Sequence, residues 1–474
     1  MDTILSTLHG LVWGPVTILW ILGIGLVLTV RLGVPQVRYL PRAFRLFFAP
    51  PKRINGTSPF RALCTALAAT VGTGNLVGVA GAICLGGPGA IFWMWVSGFL
   101  GMATKYAEAT LAVRYRKATP EGYVGGPMYV ITQGLEPKFV PLAKLYCVLG
   151  LLASFGVGNA TQISAIVSGV ETVAGLRGLR LGPWGTLALG VILALVIGAL
   201  LLGGAGRIGA VAETLVPVLS AGYILLCLGS LSANASQIPG AMAAIVRGAF
   251  CPRAVTGGAL GSAFLALRTG CSRGVFTNEA GMGTASIAHA GAEVICPAQQ
   301  GLMGVMEVFL DTMVICTLTA LVILTSGIPI PYGVDAGMEL TCAAFSAVYG
   351  GAATLFLSLA LSCFAFATVL GWSLYGARCA QFLFGDSAWK GYAYAQSAVV
   401  VLGACLPSGR LWLGAEILNG LMALPNLLAL GLLIPEIAAL TEHYRTCLRR
   451  HLPGKPGILG PYKGRRGNHE TKHT

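Results

Sequence analysis

The sequence predicts an all-α polytopic membrane protein with about eleven transmembrane helices, and three observations lead to this fold class. Of its 474 residues, 55% are hydrophobic and only 10% are charged, whereas soluble domains carry about 25% charged residues. The mean hydropathy is +0.77. The apolar residues occur in runs of about twenty, which is the length that crosses a bilayer as a helix. Together these features exclude a water-soluble enzyme, and the alternating segments of a transmembrane barrel do not occur.

The helices are predicted from windows of about nineteen residues. The first run, 12–31, is expected to stay on the protein, because Asp2 stands where a cleaved signal has basic residues and arginines follow the run. A short interfacial helix is expected at 237–250. The domain boundary is placed at residue 440, and the basic tail of 441–474 is expected to be disordered. Ten further spans are predicted: 59–85, 88–115, 142–171, 184–204, 208–231, 257–291 with a break, 298–326, 350–381, 389–406 and 411–438.

The basic residues predict the orientation. Loops that would share a side with the C-terminus hold 23 lysines and arginines, and the opposite loops hold five. Because cytoplasmic loops carry the positive excess, this predicts an outside N-terminus and a cytoplasmic C-terminus in a plasma membrane. The bias also accounts for the net charge of +14, so no nucleic-acid partner is expected. The 13 cysteines occur without Cys-x-x-Cys spacing, which disfavours a disulfide framework or a zinc site.

Two predicted helices contain poor helix formers. Gly72-Thr73-Gly74-Asn75 lies near the middle of the second run, and a polar stretch from Arg268 to Gly283 interrupts the seventh. With the leading helix set aside, the other ten form repeat one, at about 59–231, and repeat two, at about 257–438, and each repeat opens with a broken helix. Because five is odd, the second repeat runs inverted relative to the first. Breaks at corresponding places in two halves indicate the binding site of a transporter.

The first break can bind a ligand through its backbone. Amide groups at the start of a half-helix attract a carboxylate, and carbonyls at the end of the other half suit Na⁺. Thr73, Gly74 and Asn75 offer this combination. The alternative is close helix packing through the Gly-x-x-x-Gly spacing of Gly74 and Gly78, but the matching break in the seventh helix favours a ligand.

Two further helices carry candidate binding residues. Gln162, in the middle of the fourth span, can donate and accept, as orienting a zwitterion requires, or it can make an interhelical hydrogen bond. Thr368 and Trp372 are four residues apart and so lie on one face of the ninth helix. They could ligate Na⁺ and close an apolar pocket, or they could form a packed pair in the core.

Ionisable residues inside the predicted spans are functional candidates. Lys105 and Glu108 have the spacing of a structural ion pair. Arg273 and Glu279 flank the second break, where they could neutralise each other, gate the site or contact the substrate.

Other ionisable residues lie on the eighth helix and near the end of the seventh. Glu307 and Asp311 share a face, where they could relay protons or stabilise polar helix packing. His289 alone does not support a metal site.

Several segments resemble, in order over residues 12–438, motifs of the alanine or glycine:cation symporter family, the sodium-coupled amino acid carriers of prokaryotes. The segments are Thr65 to Asn75, Gly87 to Trp95, Gly126 to Tyr129, Phe276 to Gly283 and Leu370 to Gly376. The resemblance implies a leucine-transporter-like fold of five plus five inverted helices preceded by one extra helix. It also implies one small amino acid and Na⁺ near the midplane, with no organic cofactor.

The resemblance further implies which residues form the site. The Na⁺ would be held by the carbonyls of Ala68 and Val71 and by the Thr368 hydroxyl, with Asn75 near. Two departures concern the substrate: Ile163 and Ser164 follow Gln162 where the family often has an Asn, and Thr277 replaces a common Ser. The residues implied to line the substrate pocket are Thr73, Gly74, Gln162, Phe276, Thr368 and Trp372.

The sequence thus predicts Na⁺-driven uptake of alanine or glycine by alternating access, and it leaves the oligomeric state open. A carrier of the same fold could couple to protons through Glu307, Asp311 or Glu279. A channel would need a ring of carbonyls or charges, usually from symmetric subunits, and the inverted halves argue against it. A membrane enzyme would need a nucleophile with a base or metal ligands, and the six histidines disfavour it.

Overall fold

The computed structural model describes residues 2–49, 56–120, 122–250, 259–334, 337–406 and 408–450. Within these residues, seven helices are long and apolar enough to cross a membrane, and an eighth is added if one bent pair counts as a span. The multi-pass helical architecture is therefore confirmed, while the number eleven stays a prediction. The predicted disordered tail beyond residue 450 lies outside the described residues.

The elements before residue 251 include a short antiparallel hairpin, in which β1 (Lys117–Thr119) pairs with β2 (Gly122–Val124). The predicted helix at 237–250 is present as the last of this set. Many of the helices begin with proline, whose missing N–H costs nothing in a first turn. The helices are α1 (Asp2–Val12), α2 (Pro15–Arg31), α3 (Pro35–Arg38), α4 (Leu40–Phe47), α5 (Pro59–Thr70), α6 (Val79–Gly86), α7 (Gly89–Arg114), α8 (Pro127–Gly134), α9 (Val140–Phe155), α10 (Thr161–Gly175), α11 (Pro183–Leu202), α12 (Gly204–Ala233) and α13 (Ile238–Phe250).

The elements after residue 258 depart from the sequence prediction in two places. Helix α18 forms between the predicted eighth and ninth spans, where a loop was expected. Helix α21 runs through two internal prolines and continues past the predicted span end at residue 438 and the predicted boundary at residue 440. The helices are α14 (Ala259–Asn278), α15 (Thr284–Ala290), α16 (Pro297–Val308), α17 (Thr317–Thr325), α18 (Gly337–Tyr349), α19 (Gly351–Phe384), α20 (Ala388–Cys405) and α21 (Ser408–Arg450).

Both predicted breaks are present. Helix α5 and the half-helix Gly74–Gly86 meet at an angle of 54°. The second break is narrower than predicted, because α14 stays helical through Asn278 and only the residues from Glu279 to Gly283 leave the helix. Polar side chains between Arg268 and Asn278 do not end the helix, because the Thr277 hydroxyl bonds to carbonyls of the same helix and Arg273 and Asn278 contact Glu416 and Thr312 on other helices. Positive φ angles end it, at Glu279 (53°), Gly281 (94°) and Gly283 (77°).

Three π-helical segments coincide with polar stretches that the sequence singles out. They are Gly74–Gly78, Gly156–Ala160 and Phe309–Cys316. The first follows the first break, the second precedes Gln162, and the third contains Asp311. A π-helical turn widens the backbone locally and is frequent at functional sites.

Helices at corresponding positions of the two proposed repeats pack against each other. Helix α7 contacts α16, α10 contacts α19, and α11 contacts α20. The π-helical segment after the first break contacts α14, and α5 contacts α15. The two broken helices therefore lie together inside the bundle. Helix α11 lies at its edge: its mean hydropathy reaches 2.6, yet only 22% of its most apolar window is buried, as expected for a helix that faces lipid.

Candidate functional site

A narrow central cavity lies between the two breaks. All six residues that were predicted to line a substrate pocket line this cavity, although they come from four separate stretches of the chain. Ala69, Thr70, Gly72, Val157 and Thr277 complete the wall together with Glu279. The predicted residues are Thr73, Gly74, Gln162, Phe276, Thr368 and Trp372.

The Asn75 side chain stabilises the first break. Asn75 is fully buried, and its Oδ1 accepts the Gly72 N–H at 2.8 Å. That N–H would otherwise bond the carbonyl of Ala68, so the Ala68 carbonyl loses its helical donor. The Asn75 Nδ2 group donates to Asp311 Oδ1 at 2.7 Å, which anchors the break to the third π-helical segment. Asn75 thus keeps the geometry of the break while its neighbours offer backbone groups.

One predicted cation ligand, the Thr368 hydroxyl, lies close to the first break. A Cβ atom built on Gly72 would stand 2.8 Å from the Thr368 Oγ1 atom, so this hydroxyl lies directly against the break. Thr368 donates its proton to the carbonyl of Phe364 at 3.0 Å. Its oxygen lone pairs are therefore directed away from that bond and remain able to accept or ligate.

Gln162 presents a buried acceptor. Its Nε2 group donates to the Val157 carbonyl at 3.1 Å, which fixes the orientation of the amide because a carbonyl can only accept. Its Oε1 atom is buried and has no hydrogen-bond partner in the described part of the chain. An unpaired buried acceptor costs about 1–3 kcal/mol, so a donor from a ligand would stabilise it.

The second break is satisfied by a carboxylate from α7. Glu108 Oε1 accepts the N–H groups of Gly281 and Gly283 at 3.0 and 3.1 Å and the Asn426 amide at 2.7 Å. The predicted Lys105–Glu108 ion pair is wrong, because these donors hold Glu108 while the Lys105 Nζ atom lies 2.9 Å from Glu307. The Glu108 carboxylate therefore lies at the N-terminus of α15.

Glu279 lies at the second break and faces the central cavity. Its Oε1 accepts the Trp372 Nε1–H at 3.1 Å and its Oε2 accepts the Thr284 hydroxyl at 2.6 Å. The predicted neutralisation of Glu279 by Arg273 is wrong, because Arg273 Nη1 lies 3.4 Å from Glu416 instead. The Glu279 side chain is 3% exposed, so a carboxylate is buried beside the cavity with two neutral donors.

A separate polar cluster surrounds the buried Lys105. Glu307 bridges Lys105 and His289, each at 2.9 Å, and His289 in turn contacts Gln300 at 2.7 Å. Asp311 has other partners, Asn75 and Thr312. Glu307 and Asp311 thus tie different helices together, which is one of the two roles predicted for them. Among the described residues, no group of three or more His, Cys, Asp or Glu could hold a metal ion.

Two vestibules approach the centre from opposite ends of the bundle. The first, of about 590 Å³, shares Thr73, Gly74 and Phe276 with the central cavity. The second, of about 580 Å³, includes Arg61 and Arg378, and none of its described lining residues belongs to the central cavity. The structure therefore has a cavity that continues into the first vestibule and is separated from the second.

The mouth of the first vestibule carries a cluster that sequence reasoning missed. His9 Nε2 lies 2.7 Å from Glu416, the Trp13 indole donates to the Glu416 carbonyl at 3.0 Å, and Arg273 contacts the same carboxylate. Residues 9 and 416 are 407 positions apart, so no local spacing could have signalled this contact. The cluster joins the N-terminal part of the chain to α14 and α21, which both belong to the proposed second repeat.

A model of the sodium:alanine symporter family matches residues 1–455. The chain belongs to the sodium:alanine symporter family. The Sodium/alanine symporter AgcS of Methanococcus maripaludis is 40% identical over 456 residues, which cover 93% of this chain and 97% of that relative. The Probable sodium/glutamine symporter GlnT of Bacillus subtilis is 36% identical over 475 residues, which cover 99% and 95%. The chain is therefore a multi-pass transporter of this family and not an enzyme.

A solved structure with a related fold is MhsT in complex with L-phenylalanine. It matches with a TM-score of 0.55 at 15% identity, covering 82% of this chain and 99% of MhsT. At this identity the likeness concerns the fold alone, and it supports a leucine-transporter-like arrangement of the helices.

Proposed function

We propose that this protein is a symporter that imports alanine or glycine with Na⁺ as the coupling ion. One observation carries the proposal: the six residues expected to bind the substrate converge on one cavity between two broken helices. Four separate stretches of chain supply them, so helix packing alone would not be expected to gather them around an open space. Family membership favours an amino acid and Na⁺ as the cargo.

The backbone at the first break suits the substrate carboxylate. The half-helix Gly74–Gly86 begins at the cavity, and the side chain of its N-cap residue Thr73 does not cap it. Free N–H groups and the helix dipole favour an anion at such a terminus. The corresponding start of α15 is already occupied by Glu108. The two breaks are therefore not equivalent, and we assign the carboxylate to the first.

The Na⁺ is assigned to the other side of the same break. The Ala68 carbonyl, released by the Asn75 bond to Gly72, and the Val71 carbonyl would ligate it together with the Thr368 hydroxyl. These are neutral oxygen donors, which suit a hard monovalent cation. Asn75 would act as a positioning residue, because its side chain is committed to Gly72 and Asp311.

The size of the cavity restricts the substrate side chain. Trp372 is 1% exposed and Phe276 lies just before the second break, so two aromatic rings border the space. Gly74 brings its backbone against Thr277, where an added Cβ would stand 2.6 Å from the Thr277 Cγ2 atom. A hydrogen or a methyl group fits such a wall better than a branched chain. Competition by glutamine, for which one relative is named, tests this limit directly.

Access is proposed to alternate between the two vestibules as one repeat rocks against the other. The contacts between helices at corresponding positions support two inverted repeats of five behind one leading helix. With the N-terminus outside and the C-terminus in the cytoplasm, the vestibule near His9 and Glu416 opens outward, and that near Arg61 and Arg378 faces the cytoplasm. The described conformation then has its central cavity continuous with the outside.

The test is uptake of labelled alanine into proteoliposomes with an inward Na⁺ gradient, an inward H⁺ gradient or neither. Uptake above equilibrium only with the Na⁺ gradient is expected. Equal uptake under all three conditions would contradict active transport and indicate a facilitator or channel.

Proton coupling within the same fold is the second candidate. It is favoured by buried carboxylates, Asp311 and Glu279, that lack a basic nitrogen within 4 Å in the described part of the chain. Accumulation driven by the H⁺ gradient in Na⁺-free buffer would support it and would refute Na⁺ as the coupling ion.

A further inference from the structure

Glu279 is the only ionisable residue among the described residues that line the central cavity. A carboxylate in the low-dielectric interior of a membrane protein is costly unless it has a partner. Its neighbours in the structure, Trp372 and Thr284, are neutral donors. They occupy two of the approximately four acceptor positions of a carboxylate, which leaves room for further donors from the cavity.

The other buried charges do not supply a partner for Glu279. Among the described residues, four carboxylates are at most 3% exposed, whereas Lys105 is the only lysine or arginine buried to that degree. Lys105 contacts Glu307. Glu108 is held by two backbone N–H groups and an amide, and Asp311 by Asn75 and Thr312. Of the three carboxylates without a cation, only Glu279 faces the cavity.

The backbone at Glu279 is itself unusual. Its φ of 53° places a residue other than glycine in the left-handed region, a strained conformation that clusters at active and ligand-binding sites. The next N–H, that of Ala280, donates to Asn278 Oδ1 at 3.0 Å and does not continue the helical hydrogen-bond pattern. The strained backbone therefore places the Glu279 carboxylate at the point where the helix ends.

A second acceptor in the same cavity is independent of Glu279. The Gln162 Oε1 atom comes from a different helix, is buried, and has no partner in the described part of the chain. An acceptor-rich wall of this kind matches a cation with several N–H donors. The α-ammonium group of an amino acid has three such donors and one positive charge.

We infer that the Glu279 carboxylate is the counter-charge for the α-ammonium group of the substrate, with Gln162 Oε1 as a second acceptor. The inference rests on the proposed function. It makes Glu279 a residue that selects amino acids over other small carboxylates. The substrate then spans the two breaks, with its carboxylate at the half-helix Gly74–Gly86 and its ammonium group at the second break.

The test compares L-alanine with L-lactate, in which a hydroxyl replaces the ammonium group. Binding to the purified full chain in saturating Na⁺ is followed by ligand-induced thermal shift. The wild type should bind alanine at least about tenfold more tightly than lactate, because hydrogen bonds to a charged partner contribute about 1.5–3 kcal/mol. Glu279→Gln should weaken alanine binding at least tenfold and leave lactate binding equal or tighter, because lactate is no longer repelled.

Glu339→Gln is the matched control, because Glu339 is an exposed carboxylate in the first vestibule and its loss changes the net charge equally. Both ligands should bind this variant within about twofold of the wild type. If Glu279→Gln does not fold, Glu279→Asp replaces it and should retain the preference for alanine, since it keeps the charge.

Four results would overturn the inference. In the wild type, the first is equal affinity for alanine and lactate. In Glu279→Gln, the second is equal weakening of the binding of both ligands. The third is a change of preference in Glu339→Gln as large as that in Glu279→Gln, and the fourth is loss of the preference for alanine in Glu279→Asp. Each is distinct from failure of the proposed function, in which the wild type would not bind alanine in Na⁺ at all.

Discussion

Gly371 sets the distance between the first break and the helix that carries Thr368. Helix α19 packs on α5 at this residue, and a Cβ atom built on Gly371 would stand 2.8 Å from the Ala69 nitrogen, 2.9 Å from its Cβ and 3.0 Å from its Cα. These are backbone or short side-chain atoms that cannot rotate away. In Gly371→Ala the two helices must therefore separate by about half an ångström, and Thr368, one turn earlier, moves with α19.

The expected effect is a weaker response to Na⁺. Overpacking costs about 1–3 kcal/mol, which corresponds to about a 5- to 150-fold change in an equilibrium constant. If the first break and Thr368 bind Na⁺ jointly, separating them weakens Na⁺ binding. The Na⁺ concentration for half-maximal alanine uptake should then rise at least about fivefold. Uptake into proteoliposomes is measured over a series of Na⁺ concentrations, with K⁺ keeping the ionic strength constant.

Gly391→Ala is the matched control. Gly391 is also a helical glycine, in α20, but an added Cβ would meet nothing within 4 Å. Alanine is the better helix former by roughly 1 kcal/mol, so this variant should retain the Na⁺ response of the wild type and be equally or more stable. A half-maximal Na⁺ concentration in Gly371→Ala within twofold of the wild type would refute the assignment of Na⁺ to the contact between these helices.

Three further predictions concern the pocket, the cation and the charge network. Trp372→Ala should let leucine compete with labelled alanine, whereas leucine should not compete in the wild type; competition by leucine in the wild type would show that Trp372 is not the size limit. Thr368→Ala should weaken the Na⁺ dependence of alanine binding and Thr368→Ser should retain it, and equal behaviour of the two variants would exclude the hydroxyl as a ligand. Lys105→Met should lower stability by about 3–5 kcal/mol, because it leaves Glu307 buried without its lysine. In denaturant unfolding, the additional change Glu307→Gln should restore part of this loss, and no restoration would mean that the pair is not coupled.

The breaks could be predicted from the sequence because their cause is local. Glycines at 72 and 74 with Asn75 are poor helix formers in an apolar run, and the structure ends a helix there. At the second break the prediction was too wide. Polar residues before Asn278 remain helical because their side chains find partners in their own helix or in neighbouring helices, whereas the glycines at 281 and 283 adopt positive φ angles and end the helix.

The ion pairs could not be predicted, because their partners are set by tertiary packing. Lys105 and Glu108 have favourable spacing along one helix, yet Lys105 pairs with Glu307, 202 residues away. Glu108 instead accepts hydrogen bonds from backbone N–H groups that are available to a side chain only because the seventh helix breaks. A spacing rule assigns each charge to a neighbour on its own helix, and in a buried bundle the partner on the next helix can lie closer.

The proposed site was predicted more completely than the network around it. The family motifs gave Thr73, Phe276 and Trp372, and the structure places them at one cavity. Neither motif nor spacing indicated that Asn75 would cap the break from inside the helix, or that Gln162 Oε1 would lack a partner. Both features depend on a backbone that departs from the α-helix, whereas predictions from sequence periodicity assume a regular α-helix.

The central claim is that Na⁺ and a small amino acid bind together at the first break. If so, Na⁺ must raise the affinity for alanine, and alanine must raise the affinity for Na⁺ by the same factor. Both factors can be measured by calorimetry on the purified full chain, titrating alanine at low and high Na⁺ and Na⁺ with and without alanine. The account predicts two equal factors of at least about fivefold, and alanine affinity that is the same in Na⁺ and in K⁺ would contradict it.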